Sequence, residues 1–156
     1  MMSSQEVADR IEIQDLIARY GRLVDRGEWD GLDGIFTPDA SIDYTAMGGI
    51  RGGVGEIKEY LPDALSVFVR TQHMMGVPVI EIDGDVARAE TSCHNPMVLR
   101  DGDDPKVMVC GLWYHETLVR TPDGWRIKDL REERCYQKLL PGARRAPDQP
   151  APDSSN

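Results

Sequence analysis

Hydrophobic residues in the first part of the chain recur at helical spacing. Between residues 4 and 26 the apolar side chains are mostly three or four positions apart, with charged residues between them. Ser4 is suited to cap such a helix at its start, and Gly27 can end it. The pattern predicts an amphipathic helix over residues 4–26, followed by a short helix over residues 28–36 that the turn sequence "TPDA" ends.

The middle of the chain predicts one strand and a third helix. The segment "ASIDYTA" is strand-like, with Ile42 and Tyr44 on one face. Residues 53–68 are helical in pattern, and a kink or break is expected ahead of Pro62 because proline lacks a backbone donor.

The second half of the chain alternates between polar and apolar residues. Four extended runs cover residues 70–82, 86–100, 106–120 and 124–136, and the turn-forming sequences "DGD", "DGDDP" and "TPDG" join them. Connections this short join antiparallel neighbours, so the runs predict a curved antiparallel meander. Helices followed by such a sheet indicate an α+β architecture, with a ligand pocket between the two layers.

The chain divides into one domain and a tail. Its length of 156 residues fits a single domain with a real core, which we place at residues 1–140. Residues 141–156 are rich in proline and serine, cannot bury a core and are expected to be disordered.

Charge and composition exclude several classes of function. The net charge is −9 and no basic stripe is present, so a nucleic acid would be repelled. No apolar stretch approaches the ~20 residues of a membrane span, and the first residues lack signal-peptide features. Cys93, Cys110 and Cys135 are odd in number and widely spaced, which fits a cytoplasmic location. Without a CxxC or HxxxH pair or a phosphate-binding glycine loop, neither a metal nor a cofactor is expected.

Five polar residues are candidates for chemistry in such a pocket. Asp25 lies near the C-terminal end of the first helix, where the helix dipole disfavours an acid, and His73 can be its positive partner. An Asp–His pair fixes the tautomer of the imidazole and makes its other nitrogen a general base. Tyr20 and Tyr44 could donate hydrogen bonds to an enolate oxygen or a leaving hydroxyl. Arg134 on the last strand could orient a carbonyl or anionic group, or keep Asp25 ionised.

Structural interpretations of the same residues remain open at this point. A lone histidine in a strand is more often a packed residue than a catalytic one, and a strand tyrosine such as Tyr44 is usually packing. Trp113 fits the core or the rim, Met75 a pocket wall or the core, and Arg134 a surface ion pair. The alternation places His94 away from the pocket face, and we assign no role to it or to His115.

The chain resembles a known family. The segments "ARYGRLVDRGEWDGLDGIFTPDASIDY", "RTQHMMG" and "WYHETLVRTPDGWRI" are similar to the SnoaL-like branch of the nuclear-transport-factor-2-like superfamily. The resemblance extends from about residue 5 to residue 137. Enzymes of this branch include scytalone dehydratase, bacterial bile acid dehydratase and hexachlorocyclohexane dehydrochlorinase.

The resemblance implies a fold, a chemistry and a set of site residues. It implies a cone-shaped α+β barrel in which helices pack into a strongly curved, mostly antiparallel sheet, and enzymes that eliminate water or HCl without a cofactor, generally as trimers. The family's catalytic aspartate and histidine fall on Asp25 and His73. A tyrosine and an arginine of the bile acid enzyme fall on Tyr20 and Arg134, and a tyrosine of scytalone dehydratase falls on Tyr44.

Two departures from the family pattern narrow the chemistry. Scytalone dehydratase has a second tyrosine directly before its aspartate, where this chain has Val24, which weakens the case for a naphthol-type substrate. The dehydrochlorinase has a lysine at the position of Tyr20, which weakens the case for halide elimination.

We therefore expect a dehydratase-type lyase for a small hydrophobic, polycyclic, steroid-like or polyketide-like hydroxy-carbonyl substrate. A polyketide cyclase or isomerase, or a non-catalytic binder of hydrophobic ligands, is the alternative. The expected catalytic residues are Asp25, His73, Tyr20 and Tyr44. The expected substrate-binding residues are Arg134, Asn95, Met75, Trp113 and Tyr114. Apolar outer-face positions in "VARAETSC" and "KVMVCGLWY" suggest a homo-oligomer, with a trimer favoured over a dimer.

Overall fold

The first helix, α1 (Ser4–Arg26), has the predicted bounds. In the computed structural model, which describes residues 1–99 and 106–141, the side chain of Ser3 rather than Ser4 caps this helix by accepting the Glu6 backbone N–H at 3.1 Å. Gly27 ends it in the left-handed conformation, with φ of 65°, which glycine adopts without strain. The predicted tail falls outside the described residues except for Pro141.

The remaining elements are a second helix, two short 3₁₀ turns and a sheet. The helix is α2 (Val54–Ala64), and the 3₁₀ turns are Trp29–Gly34 and Thr45–Met47. The strands of the described residues are β1 (Phe36–Asp43), β2 (Arg51–Gly52), β3 (Phe68–Thr71), β4 (Met74–Met75), β5 (Val79–Asp83), β6 (Val86–Leu99), β7 (Val107–Thr121) and β8 (Gly124–Leu140).

The predicted antiparallel meander is confirmed in the second half of the chain. β5, β6, β7 and β8 pair antiparallel in that order, and β3 and β4 also pair with β6. On the other side of β8 lies β1, which runs parallel to it, with Phe36 opposite Ile127 and Ile42 opposite Leu130. The result is a mixed, non-closed sheet, which fits the predicted cone-shaped α+β fold.

Several local predictions were wrong. Residues 28–36 form a 3₁₀ turn and the start of β1 rather than a helix, and the "TPDA" segment lies inside β1. Its proline, Pro38, has no backbone N–H to donate. It lies where the pairing of β1 with β8 is irregular, so no regular hydrogen bond between these strands is lost. Pro62 does not break α2, because the helix continues through it and ends two residues later at Ala64. The run 70–82 forms three short strands rather than one, and His73 lies between β3 and β4.

Alternation along β6 separates an inner from an outer face of the sheet. Residues 87, 89, 91, 93, 95 and 97 are buried and face the helices, whereas the residues between them are exposed or half-buried. The outer face carries charged as well as apolar side chains, and the homo-oligomer stays a prediction. Among the described residues, no helix is long and apolar enough to cross a membrane.

Asp9 ties α1 to the sheet. It is 3% exposed, and Arg120 donates to its two carboxylate oxygens at 2.7 and 2.8 Å. The indole Nε1–H of Trp125 and the amide of Gln5 each donate to Oδ1 at 3.0 Å. The Arg120 guanidinium also lies 4.6 Å from the centre of the Trp125 ring. Bidentate pairing with Arg120, opposed by burial, holds the pKa of Asp9 well below its usual range.

A second buried acid, Glu116, lies on the inner face of β7. It is 3% exposed, and the Thr91 hydroxyl donates to it at a long 3.3 Å. Burial raises its pKa to about 8, with the hydrogen bond from Thr91 opposing the rise. Glu116 is therefore protonated at neutral pH in the folded protein and ionised in the unfolded chain.

Glu116→Gln is expected to flatten the pH dependence of folding stability. The free energy of unfolding should fall as pH rises from about 4.5 to about 8, because the folded state keeps a proton that the unfolded state has lost. Urea unfolding at several pH values measures this slope. Glu59→Gln, at an exposed position of α2, is the control, and an unchanged slope in Glu116→Gln would contradict the assignment.

Candidate active site

A cavity of about 190 Å³ lies between the two α-helices and the inner face of the sheet. Its wall is mainly aromatic and aliphatic, with a few polar side chains pointing in: Tyr20, Tyr44, His73, Asn95, Glu132 and Gln137. A larger hollow of about 530 Å³ lies mainly along the outer face, among charged side chains such as Arg88 and Arg131. The inner cavity is the candidate site because it is enclosed by apolar surface and contains the buried histidine.

Asp25 and His73 form the predicted pair. The carboxylate Oδ1 lies 2.6 Å from the imidazole Nδ1, and Oδ2 accepts the backbone N–H of His73 at 2.8 Å. Thr71 donates its hydroxyl to Oδ1 at 2.8 Å. Burial acts to raise the pKa of Asp25, but the hydrogen bonds from His73 and Thr71 outweigh it, so the pKa lies below its ordinary value. An ionised Asp25 thus accepts a hydrogen bond from the Nδ1–H group and leaves Nε2 as the basic nitrogen.

Nε2 of His73 points to Asn95. The amide nitrogen of Asn95 lies 3.1 Å from Nε2 and donates to it when Nδ1 carries the imidazole proton. The other amide atom, Oδ1, is buried and has no hydrogen-bond partner among the described residues. A ligand hydroxyl could donate to this oxygen.

Gly21 allows the strand segment with His73 to approach α1 closely. A Cβ at this position would lie 3.1 Å from the Cβ of His73 and 3.1 Å from Cγ of Met75. Glycine inside a helix costs about 1 kcal/mol relative to alanine. Gly21 has this cost, but the absence of a side chain lets the segment with His73 lie close to α1. His73 thereby comes within reach of Asp25, which lies one helical turn further along α1.

Three tyrosines meet at the base of the cavity. The hydroxyls of Tyr20 and Tyr44 are 2.6 Å apart, and the Tyr20 ring packs edge-on against Tyr114 with centroids 5.7 Å apart. Burial raises the pKa of all three well above the usual value. The tyrosines therefore stay neutral, and because one hydroxyl of the Tyr20–Tyr44 pair donates to the other, the second keeps a proton to donate to a ligand.

The structure brings Asn95 and Tyr114 to the cavity wall, as expected, but not three other predicted residues. Trp113 lies on the outer face, because neighbouring strand residues point to opposite sides and Tyr114 points in. Met75 packs against Gly21 of α1 instead of lining the cavity. Arg134 is exposed and does not line the cavity either, although it lies opposite Leu112, which does.

Glu132 was missed by the sequence analysis. It lines the cavity from β8, is 8% exposed, and its Oε2 has no hydrogen-bond partner among the described residues. Burial raises its pKa to about 8, with a smaller contribution from the charge of Asp43. The available signal was its spacing, since Glu132 follows the buried Leu130 by two positions in an alternating strand.

The remaining histidines lie outside the cavity. His94 is exposed on the outer face, with Nδ1 at 2.7 Å from the Tyr136 hydroxyl. His115 is half-buried on the same face, 2.7 Å from Glu133. Within residues 1–99 and 106–141, no three His, Cys, Asp or Glu side chains are grouped so as to hold a metal ion.

Comparison with known protein families shows to which family the chain belongs. The family model described as a SnoaL-like domain matches residues 5–131 of the chain. The chain belongs to the SnoaL-like family. The resemblance inferred from the sequence is confirmed, and the segment with Asp25 and His73 lies inside the matched region.

Two relatives are similar in sequence to this SnoaL-like chain over most of its length. An uncharacterised protein of Mycobacterium tuberculosis is 46% identical over 140 residues, which cover 90% of this chain and 95% of that protein. A probable cyclase of Gibberella zeae is 27% identical over 138 residues, covering 82% of this chain and 92% of the fungal protein.

Solved structures share the SnoaL-like fold. A scytalone dehydratase-like protein from Novosphingobium aromaticivorans has a TM-score of 0.77 at 16% identity, covering 88% of this chain and 91% of its own. A type 2 hexachlorocyclohexane dehydrochlorinase has a TM-score of 0.74 at 21% identity, covering 91% and 95%. At these identities the likeness confirms the predicted α+β fold.

Proposed function

We propose that this SnoaL-like protein is a cofactor-independent dehydratase for a hydrophobic hydroxy-carbonyl compound. The observation that carries the proposal is the Asp25 carboxylate, which accepts both the ring Nδ1–H and the backbone N–H of His73, a residue that lines an apolar cavity. A binder of apolar ligands has no need of a buried ionisable pair, whose burial is costly. A general base has that need, because the pair aims a basic nitrogen at the ligand.

The reaction begins with proton abstraction by His73. Nε2 takes the proton from the carbon beside the carbonyl group, and Asp25 stabilises the imidazolium that forms. Asn95 must release Nε2 when the substrate binds, and its free Oδ1 then accepts a substrate hydroxyl. The Tyr20–Tyr44 pair donates a hydrogen bond to the enolate oxygen. Departure of the hydroxyl on the next carbon as water leaves a conjugated double bond.

The cavity size narrows the substrate class. An engineered cavity of about 150 Å³ holds benzene, and pockets for drug-sized ligands span roughly 300–1,000 Å³. The present cavity of about 190 Å³ favours a substrate with one or two rings over a four-ring steroid.

A second candidate function is isomerisation or aldol-type cyclisation, favoured by the similarity to the probable cyclase of Gibberella zeae. Both reactions share the abstraction of a proton beside a carbonyl group. They differ in the leaving group, because only the dehydratase releases water.

The test is a panel of one-ring and two-ring β-hydroxy ketones analysed by mass spectrometry. We expect products that have lost water, and slower turnover when the abstracted proton is replaced by deuterium. Histidine-to-alanine variants provide the control: His73→Ala should lose about 10²–10⁴-fold in rate, whereas His115→Ala, on the outer face, should keep wild-type rates. A product of unchanged mass would indicate the isomerase, and ligand binding without any conversion would contradict both enzymatic functions.

A further inference from the structure

Glu132 is an acid for which the steps above have no use. It is more than nine-tenths buried, it lines the cavity, and its Oε2 lacks a hydrogen-bond partner among the described residues. Burying a carboxyl group without a partner is unfavourable, and replacement by a neutral side chain would remove that cost. A ligand that supplies the missing partner accounts for the position of Glu132.

The position of Glu132 complements that of the base. His73 reaches the cavity from the β3–β4 segment and contacts Asn95 on β6, whereas Glu132 reaches it from β8, with β7 between. Strands β6 and β8 are roughly 10 Å apart at the usual strand spacing. Glu132 therefore enters the cavity two strands away from Asn95, and a substrate that spans this separation can present its acidic carbon to His73 and its hydroxyl to Glu132.

The protonation state of Glu132 suits a donor. Burial holds its pKa at about 8, so the side chain is a neutral carboxylic acid at pH 7. The tyrosines of the cavity are far weaker acids, because burial raises their pKa values further from neutrality. General acids work best when their pKa lies near the operating pH.

We propose that Glu132 is the general acid that protonates the departing hydroxyl of the substrate, with the Tyr20–Tyr44 pair reserved for the enolate oxygen. The assignment rests on the proposed dehydratase function. It makes Glu132 a catalytic residue.

The step balances without a further reactant. His73 Nε2 accepts the proton on carbon, the electron pair of that C–H bond forms the new double bond, and the C–O bond breaks with its electrons going to oxygen. The Oε–H proton of Glu132 passes to that oxygen, which leaves as water. The carboxylate and the imidazolium are then reset by transfer of one proton from His73 to Glu132 through solvent.

The leaving group provides the test. A hydroxyl must be protonated to leave, whereas chloride leaves as a stable anion. The experiment therefore compares the elimination rates of a β-hydroxy ketone and its β-chloro counterpart, each after subtraction of the uncatalysed rate. Glu132→Gln keeps the size and shape of the side chain but cannot donate an acidic proton. We expect it to lose about 10²-fold or more in kcat on the hydroxy substrate and to keep its rate on the chloro substrate. Glu133→Gln, its exposed neighbour, should act on both like the wild type.

Each other outcome overturns the assignment. If Glu132→Gln dehydrates the hydroxy substrate at the wild-type rate, Glu132 is not the acid, while the proposed function stands. If Glu132→Gln loses activity on both substrates equally, Glu132 serves folding or positioning rather than proton donation. If the wild-type protein eliminates from neither substrate, the proposed function fails and the assignment fails with it.

Discussion

Replacement of His73 with alanine is expected to lower kcat/KM for the elimination by about 10²–10⁴-fold. His73 Nε2 is the basic nitrogen nearest the cavity, and its tautomer is fixed by Asp25 at 2.6 Å from Nδ1. Asp25→Asn should cost a similar factor, because an amide stabilises the imidazolium less than a carboxylate and can favour the wrong tautomer. The two losses should not multiply in the double variant, since both residues act as one unit.

The matched control for this experiment is His94→Ala. His94 lies one strand position from Asn95 but on the outer face, hydrogen-bonded to Tyr136, so its removal should leave turnover unchanged. Near-wild-type turnover in His73→Ala, with normal folding by circular dichroism, would show that the pair does not perform the chemistry. The tautomer can be read without a substrate, because ¹⁵N NMR of the imidazole should show a protonated Nδ1 and an unprotonated Nε2.

Replacement of Asp9 with asparagine is expected to destabilise the fold by about 1–3 kcal/mol, the cost of leaving buried hydrogen-bonding groups without their partner. Asp9 accepts hydrogen bonds from both terminal nitrogens of Arg120 and from Trp125. In the variant one of these donors would face an amide N–H group instead of an acceptor. Urea unfolding at pH 7 measures the loss as a lower midpoint with an unchanged slope.

Asp15→Asn provides the control on the same helix. Asp15 pairs with Arg19 at 2.9 Å, but both side chains are more than half exposed, so the loss should be about 0–0.5 kcal/mol. The difference in the free energy of unfolding between the Asp9 and Asp15 variants should also depend on pH. Because the pKa of Asp9 is lowered on folding, its contribution is present at neutral pH and is lost as pH falls below about 4. Equal stabilities of the two variants at pH 7 would contradict the role of Asp9.

Part of the site could be predicted because it depends on the local sequence pattern. Asp25 stands at the wrong end of a helix for an acid, and His73 stands in an otherwise apolar run, so each required a partner. The alternation along β6 and β7 also places Asn95 and Tyr114 on the inner face. These features depend on the helix and strand periods, which the sequence displays directly.

The rest depends on geometry that the local pattern does not contain. The β7–β8 register shifts at Cys135, which pairs with no residue of β7 between Arg134 and Tyr136, so beyond this bulge Gln137 rather than Tyr136 lines the cavity. The parallel pairing of β1 with β8 joins segments from opposite ends of the chain. Glu132 was overlooked because a charged residue in "LREER" looks like surface until its neighbours enclose it.

The pairing of the two ends of the domain has a consequence for how the chain acquires its structure. Phe36 of β1 lies beside Ile127 of β8, and the hydrogen bond from Trp125 to Asp9 joins residues 116 positions apart. Contacts this distant form slowly, since a long loop must close before they contribute. During synthesis the first helix, with its apolar face and its acid, emerges long before its partners. The hairpins of the second half can form as they leave the ribosome, whereas α1 and β1 must wait for β8 to complete the sheet.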